Sequence, residues 1–117
     1  MKPIKYTFKQ TNKIDLGTKE IYKYPTPTEL FDIAKMVVNG RHPKEKGKFI
    51  LEHACNFVIY VIKGKGTIYA GDEKFTVEPE DVVFVPTENK FAVEGQLEYI
   101  TIDIPAFYLE QSEEINE

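Results

Sequence analysis

The stretch VIYVIKGKGTIYAGDEKFTVEPEDVVFVP, residues 58–86, is a series of short apolar or alternating runs separated by glycine, proline and acidic residues. Runs of four to eight residues rich in β-branched and aromatic side chains predict strands. Residues 64–66, Gly-Lys-Gly, predict a hairpin turn because glycine tolerates positive φ, and Gly71 followed by Asp72 predicts a second turn. The stretch therefore predicts an antiparallel sheet made of consecutive hairpins.

The same pattern extends in both directions from this stretch. Further strands are predicted over residues 14–24, 49–54, 90–93 and 97–104. Residues 29–39 fit a helix or a strand, and the alternation of Phe31, Ile33, Lys35 and Val37 favours the strand. Many short strands at this spacing predict an all-β sandwich or barrel.

Composition restricts the classes of protein to which the chain can belong. A length of 117 residues fits one domain, and 42% hydrophobic with 29% charged residues indicates a globular protein. No apolar run approaches the roughly 20 residues of a membrane-spanning helix, and the N-terminus has no apolar signal region. A net charge of −4 argues against a nucleic-acid partner. The single cysteine, Cys55, suits a reducing cytoplasm.

The predicted organisation is one domain in three parts. Residues 1–27 form N-terminal strands or an arm, residues 28–105 form the barrel, and residues 106–117 form a C-terminal extension. In the extension we expect Phe107 and Tyr108 to pack back on the barrel and the acidic tail to fray.

In the order of its elements, residues 40–105 resemble the cupin superfamily of small double-sheet β-barrels. The matching motif residues are Tyr60, Val61, Gly64, Gly66, Pro79, Asp81 and Pro86. The resemblance implies an all-β, single-domain double-stranded β-helix, the cupin jelly-roll barrel. It says little about chemistry, since one fold carries many activities.

Two glycines of the cupin pattern are replaced in this chain. Glu80 stands at the glycine of Pro-Gly-Asp, and Glu88 at the glycine of Pro-x-Gly. A residue other than glycine with positive φ costs about 1 kcal/mol. We therefore predict that Glu80 forms a turn with negative φ.

Metal-binding cupins supply two histidines and a glutamate from a first motif and a third histidine from a second. Carried over by spacing, these positions fall on Leu51, His53, Phe57 and Phe91. Only His53 is a metal donor, and one imidazole does not hold a metal. The resemblance, with these departures, predicts a chain without a metal or another cofactor.

A metal site outside the family pattern is an alternative. Residues His42, His53 and Cys55 carry donors that could converge, whereas the favoured interpretation is an interior histidine and a small buried thiol. Arg41 lies at a predicted strand end, where it could clamp a carboxylate or phosphate. The alternative for Arg41 is a surface arginine paired with an acid.

The function favoured by the sequence is metal-free binding of a small molecule such as a sugar, by a homodimer. The predicted pocket is lined by Arg41, His42, His53, Cys55, Phe57, Ile59 and Phe91. One alternative is a sugar or sugar-acid isomerase or epimerase with His53 as acid/base, assisted by Tyr60 or Tyr99 and Asp103. Another is a barrel filled by its own side chains that serves only as an interaction module.

Overall fold

The computed structural model describes residues 1–107 and 112–116, and this part of the chain is almost entirely β-structure. A 3-10 helix, Phe8–Gln10, comes before nine strands. The strands are β1 (Asn12–Asp15), β2 (Lys19–Lys23), β3 (Asp32–His42), β4 (Lys48–Glu52), β5 (Asn56–Ala70), β6 (Glu73–Val77), β7 (Val82–Val85), β8 (Lys90–Ile104) and β9 (Ser112–Asn116). The prediction of an all-β chain is confirmed. Residues 29–39 were correctly predicted as a strand and not a helix, but the strand, β3, begins and ends three residues later. None of the described helical segments is long and apolar enough to cross a membrane.

Strand β8 lies at the centre of the sheet and organises the rest. It pairs antiparallel with β3 along one edge, from Asp32 opposite Asp103 to His42 opposite Val93. Along its other edge it pairs with β5. Strand β4 continues the β3 side against the start of β8, β1 and β2 extend from β3, and β6 and β7 both pair with β5. The sheet curls so that one face of each strand turns inward.

Alternation along the strands determines which residues face the interior. On β3 the buried positions are Asp32, Ala34, Met36 and Val38, and the residues between them are more exposed. Directly opposite residues of an antiparallel pair share a face. The core on this inner face contains Met36, Val38, Phe57, Ile59, Val61, Ile68, Val85, Phe91, Val93, Leu97 and Tyr99.

The hairpin predicted at residues 64–66 is wrong, because β5 runs through them without turning. The runs predicted on either side of Gly95 also join, into β8. Gly66 lies opposite Gly95, and a Cβ added at Gly95 would lie 2.7 Å from the Gly66 Cα. These glycines therefore allow two long strands to approach closely and bend together, instead of turning the chain.

The prediction of negative φ at Glu80 is also wrong. Glu80 has φ 76° and Glu88 has φ 64°, so both occupy the left-handed region at the two positions where the cupin pattern has glycine. The Glu80 N–H donates to the Val61 carbonyl at 2.8 Å, and the Val61 N–H donates to the Asp81 carbonyl at 3.0 Å. These two hydrogen bonds hold the turn against β5 and offset the strain of about 1 kcal/mol.

The C-terminal segment differs from the frayed tail that its composition predicted. Residues Ser112–Asn116 form β9, which pairs antiparallel with β4 from Lys48 to Glu52. Phe107 is half-buried, and its N–H donates to the Asp32 carboxylate at 2.6 Å. Tyr108, the other residue expected to pack on the barrel, lies outside the described residues.

Candidate functional site

Arg41 does not face the barrel interior. It precedes the inward-facing His42 by one position on β3, so its side chain lies on the outer face. There its guanidinium lies 5.5 Å from the centre of the Phe49 ring. It donates to three backbone carbonyls of the following loop, at Pro43, Glu45 and Lys48. The structure therefore places Arg41 as the clamp of its own loop.

His53 also lies outside the interior, in the turn after β4. Its side chain is 42% exposed, with Nδ1 2.8 Å from Glu88 Oε1 and Nε2 3.6 Å from Glu113 Oε1. The hydrogen bond to Glu88 is the main reason that the pKa of His53 lies above its usual value. Both ring nitrogens thus face carboxylates at the barrel surface, apart from the other predicted pocket residues.

Cys55 is buried, and its thiol donates to the Pro105 carbonyl at 3.1 Å. Burial, followed by the nearby carboxylates of Glu52 and Asp103, raises its pKa to about 12. The group is therefore a thiol and not a thiolate nucleophile at neutral pH. Among residues 1–107 and 112–116 no three His, Cys, Asp or Glu side chains are placed to hold a metal ion together.

The three apolar residues predicted to line the pocket do lie together inside the barrel. Ile59 is fully buried, and Phe57 and Phe91 are 8% and 5% exposed. The Phe57 and Phe91 rings meet edge to face, with centroids 5.1 Å apart and an interplanar angle of 87°. Phe57 lies opposite Asp103 and Phe91 opposite Ile50, so both rings belong to the inner face.

His42 is the predicted site residue that shares this interior with a cluster of polar groups. Its place on β3 follows the buried positions 32 to 38 in steps of two, and it lies opposite Val93. Burial, then the positive charges of Lys19 and Arg41, lowers the pKa of His42 to about 4. The imidazole is therefore neutral at pH 7 and can accept a proton.

Lys19, at the start of β2, is a site residue that the sequence did not reveal. It is 8% exposed, and its Nζ lies 5.6 Å from the Phe91 ring centre and 5.9 Å from that of Tyr99. No carboxylate of the described residues lies within ion-pair distance of this ammonium. Burial lowers the pKa of Lys19 to about 8, although the charge of Asp103 partly opposes the shift.

Tyr99, Thr101 and Asp103 follow one another on the inner face of β8. Tyr99 is 1% exposed, and its hydroxyl makes no hydrogen bond within the described residues. Burial raises the pKa of Tyr99, so its hydroxyl keeps its proton. Of these three residues the sequence nominated Tyr99 and Asp103, as helpers of His53, from which the fold separates them.

Three carboxyl groups form an acidic end of the interior, namely Asp32, Glu52 and Asp103. Burial first, and then a hydrogen bond to Asp32, raises the pKa of Asp103 well above the usual range of an aspartate. Asp32 is 3% exposed and lies 3.3 Å from the ammonium of Lys23. Asp103 is therefore the proton-bearing member of a pair whose other member is held by a lysine.

A cleft of about 280 Å³ opens at this acidic end, and its lining includes Lys23, Asp32 and Phe107. A second cleft of similar volume lies between β6 and β7, lined by Phe75, Val83 and their neighbours. The first cleft brings solvent next to the buried Asp32, at the acidic end of the interior.

The signals that could have found the missed residues are faint in the sequence. Lys19 and Glu52 are charged residues at the end of a short strand, a position that is equally typical of a solvent-facing side chain. Asp32 and His42 have the same parity as the buried Ala34, Met36 and Val38. The alternation recognised in the sequence runs through Phe31, Ile33, Lys35 and Val37, which lie on the more exposed side of β3, so it did not reveal either residue.

Neither a family model nor a curated protein matches the chain. Among solved structures, a variant of Streptomyces PAC13 with uridine has a TM-score of 0.87 at 18% identity, over 99% of this chain and 93% of that one. Another structure of PAC13 is described as that of a nucleoside dehydratase. Ectoine synthase from P. lautus has a TM-score of 0.76 at 14% identity, over 97% of this chain and 90% of that one. An RmlC-like cupin from Shewanella frigidimarina has a TM-score of 0.69 at 18% identity, over 86% of this chain and 89% of that one.

The chain has the cupin fold. The resemblance inferred from residues 40–105 is thereby confirmed, and it extends to nearly the whole chain. At these identities the likeness concerns the fold, and the chemistry must be argued from the interior side chains.

Proposed function

We propose that the barrel binds a small polar molecule of nucleoside size between its paired phenylalanine rings and its interior polar groups. The observation that carries the proposal is the ammonium of Lys19, which is buried without a carboxylate partner in the described chain. An unpaired buried cation is costly, and proteins retain such groups where a ligand completes them. This proposal replaces Arg41 and His53 by Lys19 and Tyr99 in the pocket predicted from the sequence, and it keeps His42, Phe57, Ile59 and Phe91.

The chemistry of the pocket favours a flat, hydroxyl-bearing ligand. The rings of Phe57 and Phe91 offer apolar faces against which a base or a sugar ring can stack. The Lys19 ammonium and the Tyr99 hydroxyl are donors for carbonyl or hydroxyl oxygens. The similar fold of the uridine-bound PAC13 variant supports a nucleoside as the first ligand to test.

Acid/base catalysis by the same interior side chains is a second candidate function. His42 is unprotonated at pH 7, whereas Lys19 and Asp103 carry protons there. Groups whose pKa values are pushed apart in one site are candidates for a base and an acid. His42 would take a proton from a carbon, and Lys19 or Asp103 would give one to a departing hydroxyl or to the opposite face of the carbon. This chemistry covers dehydration and epimerisation, and it moves the acid/base role from His53 to His42.

We also propose that the protein is a cytoplasmic homodimer. The outer face of β5, β7 and β8 presents uncharged side chains, of which Tyr60, Val82 and Phe84 are 44%, 61% and 59% exposed. A two-fold dimer needs one patch that complements itself, and an uncharged patch meets its copy without repulsion. Light scattering should give twice the chain mass for the wild type and the chain mass for Phe84→Lys. A wild-type monomer at micromolar concentration would contradict the proposal.

The reduced, buried Cys55 supports the proposed location in the cytoplasm.

Isothermal titration calorimetry with uridine, cytidine, adenosine and ribose tests the binding proposal. We expect micromolar binding of at least one of these compounds and a loss of about tenfold or more in Lys19→Met, because a charge-assisted hydrogen bond disappears. Lys63→Met, which removes an exposed lysine, is the matched control and should bind as the wild type does. Equal affinities in the two variants would refute the proposed site. Absence of binding to all four compounds would favour the filled interaction module.

A further inference from the structure

Glu52, the last residue of β4, uses only one of its two carboxylate oxygens. Its Oε2 accepts hydrogen bonds from the N–H groups of Ala54 at 2.7 Å and Cys55 at 2.9 Å. These two bonds fold the turn between β4 and β5. Oε2 alone therefore accepts the hydrogen bonds by which the side chain holds this turn.

The other oxygen, Oε1, is buried and has no hydrogen-bond partner within the described residues. The whole residue is 5% exposed. The Cys55 thiol lies beside the same carboxylate and donates to the Pro105 carbonyl at 3.1 Å. Nearly all buried polar atoms in proteins have a partner, and a charged oxygen without one is among the costliest exceptions.

The surroundings of Glu52 explain which kind of partner fits. Two positions before it, Ile50 lies opposite Phe91 on the inner face, so alternation directs Glu52 to the interior as well. The neighbouring Asp32 is already satisfied by Lys23 and by the Phe107 N–H. Asp103 keeps a proton that it shares with Asp32. Glu52 is thus the member of the acidic end that is left with a free acceptor.

A neutral hydrogen-bond donor suits this acceptor better than a cation. The positive charge of Lys19 and the negative charge of Glu52 already balance within the interior, so a neutral ligand adds no uncompensated buried charge. A metal ion needs three or more converging donors, and the described residues do not provide such a group here. Carboxylates are common acceptors for sugar hydroxyls, as in the acidic residue that binds a ribose in dinucleotide sites.

We propose that Glu52 Oε1 accepts a hydrogen bond from a sugar hydroxyl of the bound molecule, so that the site selects a ribose-type diol over its deoxy analogues. This inference rests on the proposed binding of a nucleoside-sized molecule in the barrel. It adds a specificity-determining residue beside Asp103, at the acidic end of the interior. A hydroxyl bonded to a carboxylate makes a short, charge-assisted bond, which gives the selection its strength.

Calorimetry with uridine, 2′-deoxyuridine and 2′,3′-dideoxyuridine tests the inference. The wild type should bind the analogue that lacks the hydroxyl bonded to Glu52, whether the 2′ or the 3′ hydroxyl, about tenfold more weakly or worse than it binds uridine. Glu52→Gln should bind all three compounds within about threefold of one another, because its amide offers Oε1 to the turn and a donor to the ligand. A wild-type protein that binds all three equally, or a Glu52→Gln variant with the wild-type preference, would overturn the inference while leaving the binding proposal intact. Failure of the wild type to bind any of them, or cytidine, adenosine or ribose, would overturn both.

Thermal unfolding of the same variant gives a test that needs no ligand. Glu52→Gln keeps the acceptor for the Ala54 and Cys55 N–H groups and removes the unpartnered charge, so its Tm should equal or exceed that of the wild type. Glu52→Ala removes the acceptor as well and should lower the Tm. A clear fall in the Tm of Glu52→Gln would show that Oε1 has a structural role, which would refute its assignment to a ligand.

Discussion

The two histidines of the chain lie in opposite surroundings. His53 is exposed, and both of its ring nitrogens face carboxylates, of Glu88 and Glu113. His42 is half-buried on the inner face of β3, and its charged neighbours are Lys19 and Arg41. The first setting favours the imidazolium ion and the second favours the neutral ring. The difference places His53 at the surface of the fold and supports the proposal that His42 is the histidine that meets a ligand.

The same contrast holds for the lysines near the interior. Lys23 has its carboxylate, Asp32, at 3.3 Å. The ammonium of Lys19 lies near the rings of Phe91 and Tyr99, and no carboxylate of the described residues is within ion-pair distance of it. Polar groups that find partners inside the protein stabilise it, and those without partners destabilise it unless a ligand is bound. Stability measurements can therefore separate the two kinds of group before any ligand is known.

The largest effect on stability is expected for Lys19→Met. The pKa of Lys19 is lowered from 10.5 to about 8 by burial, which corresponds to about 3 kcal/mol of destabilisation while the group is charged. Methionine has a similar shape without the charge, so the variant should be more stable by about 2–3 kcal/mol at pH 7. Urea unfolding at pH 7 measures the difference.

The pH dependence provides the control for that experiment. Because the folded state of the wild type binds fewer protons than the unfolded state between pH 8 and 10.5, its stability relative to Lys19→Met should rise across this window. A gap between the two proteins that stays constant with pH would mean that the charge of Lys19 is not the cause. A less stable variant would show that Lys19 has a partner that the geometry does not reveal.

The second largest effect concerns acid unfolding. The pKa of His42 is lowered from 6.5 to about 4, so its contribution to stability is complete above pH 6.5 and is lost as the pH falls toward 4. For a partly exposed side chain we expect this loss to be about 1–2 kcal/mol after solvent screening. His42→Gln should remove that part of the acid sensitivity, as measured by urea unfolding between pH 4 and 7.

Because the chain has two histidines, NMR can follow both in one sample. The ring protons of His42 should titrate near pH 4, and those of His53 should titrate above the ordinary value of 6.5. His42→Gln assigns the two signals. If both histidines titrate close to 6.5, the distinction between the interior and the surface setting is wrong.

The sequence predicted the fold better than the site, for a physical reason. The strands and the barrel follow from the alternation of apolar residues and from turn residues, which are local features of the sequence. The site depends on where each strand ends, because one residue decides whether a side chain points inward. His53 was matched to a metal-ligand position by counting, but β4 ends at Glu52, so His53 falls in the turn. Phe57 was also matched to a metal-ligand position by counting, and it does face the interior, because it lies within the continuous strand β5.

The glycines of β5 and β8 also show that local sequence does not reveal contacts between distant residues. Residues 64–66 have the composition of a turn, but Gly66 is needed because β5 and β8 approach closely at Gly66 and Gly95. That contact joins residues far apart in sequence, so local composition could not distinguish it from a hairpin. Glu80 is the converse case, since tertiary hydrogen bonds to Val61 hold a conformation that its residue type disfavours.

A smaller effect, of about 1 kcal/mol, is expected at the two glutamates with positive φ. Glu80→Gly should stabilise the protein by about this amount, because glycine adopts the left-handed region without strain. Glu88→Gly relieves similar strain but removes the hydrogen bond to His53, so its gain should be smaller. Chemical unfolding of the two variants at pH 6 and pH 8 measures the difference between them. A loss of stability in Glu80→Gly would show that its side chain makes a contact worth more than the strain.

The smallest effect is expected for His53→Gln. Because the pKa of His53 is raised in the folded state, its contribution is present below pH 6.5 and disappears as the pH rises through the folded pKa. The side chain is exposed and its carboxylate partners are hydrated, so His53→Gln should leave the Tm unchanged at pH 8 and lower it only slightly at pH 5.5. The matched variant His42→Gln should behave in the opposite way, because it removes a group whose protonation destabilises the fold. If His53→Gln instead abolished ligand binding or lowered the Tm at pH 8, the surface histidine would be part of the site, and the contrast between the two histidines would fail.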